Sequence, residues 1–123
     1  EPSRRQRQMC IRDRAKRDIT GAMESYADLT EFLIRFPESE YIDAARERLI
    51  FLRNLIASSE LDGAEYYLKR GAYLAALNRA NYVLKNIPNS TEKQRALDIM
   101  KKSFIELGYE EYAEKVSSVE ALN

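Results

Sequence analysis

The chain has 123 residues, 20 basic and 20 acidic side chains, no histidine, one cysteine and no tryptophan. That length allows one domain with a modest core, and a formal charge of zero argues against broad electrostatic attraction to nucleic acid. Histidine-based catalysis and His/Cys metal sites lose their usual groups, and no apolar run approaches the roughly 18 residues that would span a bilayer.

Arg4 to Asp13 reads RRQRQMCIRD. Reverse-translated as CGT CGG CAG CGT CAG ATG TGT ATA AGA GAC, it resembles a transposase adapter used in shotgun DNA sequencing. The adapter's final AG begins a codon for Arg or Ser, and Arg14 fits. Residues 1–14 are therefore expected to be an adapter-derived, non-native segment, set aside from fold reasoning like any fusion scar. Cys10 falls inside it and says nothing of redox compartment; the RQRQM before it also lacks the apolar stretch of a lipoprotein signal. Removing five basic residues (Arg4, Arg5, Arg7, Arg12, Arg14) and two acidic ones (Glu1, Asp13) from 20 of each leaves 15 against 18, a net −3.

The remainder, 15–123, carries helical periodicity throughout. Ala22, Tyr26, Leu29, Leu33 and Phe36 step by four and three, predicting a helix near 20–36 with one buried stripe. Pro37 ends it, Ser39 suits the cap of the next helix, and Glu31 and Arg35 form a favourable i,i+4 pair. Ala45, Leu49, Leu52 and Ile56, then Ala57, Leu61, Ala64 and Leu68, keep the same spacing without a proline. A single long helix near 40–70 is expected, since Gly63 costs only about 1 kcal/mol relative to Ala.

Lys69 and Arg70 suit the negative end of that helix, and Gly71 supplies a left-handed turn residue. Tyr73 to Asn86 is the partner helix, with Tyr73, Ala76, Leu77, Ala80, Val83 and Leu84 inward and Pro88 after its end. Thr91 followed by Gln94 has the form of a capping box for a helix near 91–107, striped by Leu97, Met100, Phe104 and Leu107. Gly108 ends it. A last helix near 109–119 carries Tyr109, Tyr112, Ala113, Val116 and Val119, with Glu111 and Lys115 paired outside.

Small residues at 64, 76 and 80, rings at 67 and 73, a turn glycine at 71 and a proline at 88 resemble a tetratricopeptide (TPR) hairpin. Gly71 and Gly108 each precede an alanine by five residues, at 76 and 113. Their spacing is close to the roughly 34 residues of a TPR unit. The expected fold is all-α: a TPR-like α-α superhelix, a right-handed solenoid of about three hairpins.

PESEYIDAARERLIFLRNLIASSE, YYLKRGAYLAALNRA and the following PNS resemble the C-terminal part of the BamD family, also called ComL or YfiO. The resemblance covers about residues 15–123. It implies a periplasmic, non-enzymatic scaffold of the machinery that assembles β-barrels in Gram-negative outer membranes. By that likeness the C-terminal repeats hold the POTRA domains of the barrel-inserting subunit, BamA, and contact accessory lipoproteins of the complex. Unfolded outer-membrane proteins are clients of the family's N-terminal repeats, and the membrane is reached only through a lipid on an N-terminal cysteine that this sequence lacks. No cofactor is implied.

Arg79 matches the family's Arg in the NR pair that faces BamA, with Asn78 and Tyr73 as partner-binding neighbours. A guanidinium can grip a partner carboxylate bidentately, which Lys cannot copy. The plainer reading of Arg79 is a solvated residue or an ion pair within the hairpin. Tyr66 and Tyr67 are candidates for holding an extended substrate peptide, against the commoner role of core packing. Glu65 and Lys69 read as a surface pair. Catalysis has no support: Glu110 and Glu111 diverge by about 100° on a helix, and no phosphate loop or triad is present. The competing reading is a generic TPR adaptor that binds a short peptide in its concave groove.

Overall fold

The computed structural model describes the backbone of residues 3–121 and the side chains of all of these except Arg5, residues 8–16 and Ala121. The described residues form five α-helices and no strand: α1 (Arg4–Arg35), α2 (Ile42–Lys69), α3 (Tyr73–Asn86), α4 (Lys93–Glu106) and α5 (Glu110–Ala121). The fold is all-α and TPR-like. Two compact units divide the chain between Ile56 and Ala57. No described helix is long and apolar enough to cross a membrane.

In the first unit, α1 begins earlier than the 20–36 that apolar stepping marks. Ser3 caps it reciprocally with Gln6: the Gln6 backbone N–H donates to Ser3 Oγ (3.2 Å), and Gln6 Oε1 accepts from the Ser3 N–H (2.9 Å). The Cys10 side chain lies outside those described. Ala22 is buried and Tyr26, Leu29 and Leu33 are half-buried, whereas Phe36 is exposed. Phe36 is the C-cap residue of α1, with φ −128° and ψ 60°, so the helical stripe has already ended when the chain reaches it. Arg35 and Glu31 pair at 3.1 Å, and Ser39 Oγ accepts from the Tyr41 N–H. Leu52, Ile56 and Ala45 are buried, as the spacing requires.

The second unit is built on alanines. Ala57, Leu61 and Ala64 of α2 cluster with Ala76, Ala80 and Val83 of α3, all fully buried, and with Ala96 and Ile99 of α4. Side chains this small let helix backbones approach closely, and Tyr67, Leu68, Leu84 and Met100 close the margins. Full burial of a Leu or Val contributes about 1.5–3 kcal/mol.

The two glycine turns are the same structure used twice. Gly71 (φ 79°) donates to Leu68 O and Ala72 N–H to Tyr67 O; Gly108 (φ 85°) donates to Ile105 O and Tyr109 N–H to Phe104 O. Both are Schellman caps, in which the left-handed residue bends the chain back to satisfy terminal carbonyls.

The next helix departs from its sequence signals. Its N-cap is Glu92 rather than Thr91 and has no side-chain cap bond; Ser90 Oγ accepts from the Glu92 N–H, and the Gln94 amide donates to Asp98. The chain turns at Ser90 before the helix starts at Lys93, so Gln94 is its second residue rather than its third. A single stripe also understates α4, which packs against both α3 and α5. It buries Ala96, Ile99 and Ser103 besides Leu97, because a helix between two others must cover two flanks. Ser103 Oγ donates to Ile99 O at 2.7 Å, satisfying its buried hydroxyl.

In α5 the seam is Ala113 and Val116; Tyr109, Tyr112 and Val119 are about half exposed. Tyr109 precedes the helix, whose first residue is Glu110. Tyr112 packs on Phe104 (5.5 Å between centroids) and Tyr109 (5.8 Å), and Lys115 lies over its ring rather than pairing with Glu111.

Candidate partner-binding site on the second unit

Arg79 projects from the second turn of α3 towards α2. Its Nη1 donates to Glu60 Oε2 at 3.3 Å, and its guanidinium carbon lies 5.2 Å from the centre of the Tyr67 ring. Gly63 lies between those two α2 residues, and a methyl placed on it would meet Arg79 Nη1 at 3.4 Å. Glu60, Gly63 and Tyr67 thus occupy one flank of α2 at i, i+3 and i+7, and Arg79 lies along it.

The guanidinium remains accessible: 42% of the Arg79 side chain is exposed, and among the described residues only its Nη1 has a hydrogen-bond acceptor. Beside it opens a depression of about 420 Å3 lined by Glu60, Tyr67, Ala75, Asn78, Arg79 and Tyr82. A wall of one carboxylate, one amide, two phenol rings and a part-free Arg fork can receive an acidic side chain flanked by apolar surface.

Asn78 and Arg79 therefore share a surface. Tyr73 does not line it; it starts α3, half-buried. Tyr67 packs against the core cluster with one face and under Arg79 with another. Tyr66 meets Tyr67 edge to face at 5.7 Å and carries Arg70 over its ring at 4.6 Å, so it is the more exposed of the two.

A second polar cluster was not anticipated from the sequence. Arg95 of α4 donates from Nε to Glu65 Oε1 (2.8 Å), from Nη2 to Asp62 Oδ1 (2.6 Å) and from Nη1 to Ser58 O (3.5 Å), with Glu92 3.6 Å away. Glu65 is thus held by α4, not by Lys69 as the i,i+4 spacing implied. The Arg95 hydrogen bond lowers the Glu65 pKa below its ordinary value, against a smaller opposing effect of burial. Arg95 is raised further above its own, first by Glu65 and then by Asp62. The only sequence trace of this cluster is Ser58, Asp62 and Glu65 at i, i+4 and i+7, which marks a polar flank without naming its cation.

Residues 3–119 match the YfiO family of outer membrane lipoproteins. The chain belongs to the YfiO (BamD) family. It is 32% identical over 111 residues to the outer membrane protein assembly factor BamD of Vibrio cholerae, covering 90% of this chain and 46% of that protein. The Xylella fastidiosa (strain 9a5c) BamD is 32% identical over 107 residues, covering 87% of this chain and 37% of that protein. The Neisseria meningitidis serogroup A BamD is 33% identical over 100 residues, covering 81% and 38%. The chain spans less than half the length of these relatives, which are named as assembly factors rather than as enzymes.

Proposed function

We propose that this YfiO-family chain is a non-enzymatic docking scaffold of the outer-membrane β-barrel assembly machinery, acting at the periplasmic face of the membrane. It holds the POTRA domains of BamA, with accessory lipoproteins as further partners, and the full-length protein is anchored by an N-terminal lipid. Arg79 selects the partner, assisted by Asn78. The observation that carries this reading is the state of Arg79: fixed through one nitrogen to Glu60, 42% exposed, and set beside an open depression. A cation so placed offers its remaining donors to a partner carboxylate at little cost in side-chain ordering. Tyr73, half-buried at the start of α3, is a further partner-binding candidate outside that depression. Tyr66 and Tyr67 are a candidate rest for an extended segment of an unfolded outer-membrane protein.

The test is a binding titration of residues 15–123 against BamA POTRA domains from a related bacterium, with Arg79→Glu alongside. Saturable binding that the variant weakens by at least about tenfold is expected, since reversal places two carboxylates face to face. Unchanged binding by a helical Arg79→Glu chain would remove Arg79 from the interface. No binding by either protein, both folded, would favour a generic TPR adaptor that takes a short peptide. The adapter origin of residues 1–14 is checked by amplifying and sequencing the locus from genomic DNA, where a native reading frame should replace RRQRQMCIRD.

A further inference from the structure

Gly63 is a poor choice for the middle of α2 on helix propensity alone, where only proline ranks lower. It is only half-buried, and no turn or positive φ requires it. What touches it is Arg79: a carbon added at Gly63 would lie 3.4 Å from Nη1, 3.5 Å from Cδ and 3.7 Å from Cζ. The guanidinium and the last carbon of its stem therefore rest directly on the bare helix. Glu60 fixes one end of the group at 3.3 Å and the Tyr67 ring faces its carbon at 5.2 Å.

From this geometry we infer that Gly63 is a specificity-determining position of the docking surface, the seat that orients the Arg79 fork. The inference rests on the docking role of Arg79 and deepens it. Glu60, Gly63 and Tyr67 constrain the guanidinium from its end, its base and its face, leaving Nε and Nη2 directed to a partner. A planar fork discriminates between a carboxylate and other acceptors only when its plane is held, because two parallel bonds must form together. A single methyl at position 63 is in ordinary van der Waals contact and leaves the seat usable. A longer side chain whose next carbon turns towards Arg79 enters the volume of the guanidinium and tilts the fork away.

The variants are Gly63→Ala, Gly63→Leu and Gly63→Gln, titrated against the same POTRA domains, each in the parent and in an Arg79→Lys background. Circular dichroism and a thermal midpoint establish that each remains helical, and Gln serves if Leu perturbs the fold. Gly63→Ala should bind as the parent does. Gly63→Leu and Gly63→Gln should each weaken binding by about tenfold, yet by less than about twofold once Arg79 is Lys, whose flexible stem does not need the seat. A merely structural role would give the same loss in both backgrounds and overturn the inference. So would parent-like binding by both large variants while Arg79→Glu binds weakly, a result that leaves the docking role of Arg79 intact. Parent-like binding by Arg79→Glu would remove that role and this inference with it.

Discussion

Arg95 Nε lies 2.8 Å from Glu65 Oε1 and joins α4 to α2 across 30 residues of sequence. Its Nη2 reaches Asp62 one turn earlier, so one guanidinium bridges two carboxylates on a single helix flank. The Arg95 side chain is 28% exposed, enough burial for the bonds to count and enough exposure for water to weaken them. The bridge is made from α4, whereas Arg79 of α3 has its own tie to α2 through Glu60.

Replacing this cation by an apolar side chain of similar length should loosen α4. Arg95→Met is expected to cost about 1–2 kcal/mol, the range for charged hydrogen bonds at a part-exposed site. Urea unfolding followed by circular dichroism reads it directly. A midpoint equal to that of the parent chain would show that the bridge adds nothing to stability.

The same bridge sets a pH dependence. Folding depresses the Glu65 pKa, so its contribution is fully present above the ordinary value of 4.5 and is lost as pH falls through the lower folded value. Arg95 stays protonated throughout, so the transition belongs to Glu65. Glu65→Gln should be less stable than the parent at neutral pH, and the gap should narrow below pH 4.5. A gap that stays constant with pH would assign the stabilisation to something other than this carboxylate.

Three glycine substitutions should differ in sign. Gly71→Ala and Gly108→Ala force a side chain into φ 79° and 85°, although open space surrounds both positions. Each should lose about 1 kcal/mol, the strain of a left-handed alanine. Gly63→Ala, in right-handed helix and ordinary contact with Arg79, should gain about 0.5–1 kcal/mol from helix propensity. Thermal midpoints of the three variants decide it, and a destabilised Gly63→Ala would mean that Arg79 cannot accept even a methyl beneath it.

At the end of α1 a smaller effect is expected. Glu31 and Arg35 are both more than half exposed at 3.1 Å separation, so Glu31→Gln should change stability by less than about 0.5 kcal/mol. A larger loss in the same unfolding assay would point to a role for Glu31 beyond this pair.

Local chemistry determined much of the second unit in advance. The steps 57, 61, 64 and 76, 80, 83 name residues that are all fully buried, because one helix face repeats every three to four residues wherever its neighbours lie. Gly71 and Gly108 were legible for a similar reason: only glycine enters the left-handed region without strain, so a glycine at a helix end announces a turn. Arg79 was singled out by its place in the NR pair, and the plainer alternative, an ion pair within the hairpin, is also present through Glu60.

Tertiary structure alone decided which charges meet. Glu65 has Lys69 four residues along its own helix, yet its hydrogen bond goes to Arg95, since two exposed side chains on one helix gain less than a guanidinium that also reaches Asp62 and Ser58. The second buried flank of α4 appears only when helices pack on both sides of it. Gly63 reads locally as a tolerated weakness; its use becomes visible when α3 lays Arg79 across it. Periodicity reports that a face is covered, whereas the identity of the covering group depends on chain segments 19 to 30 residues away.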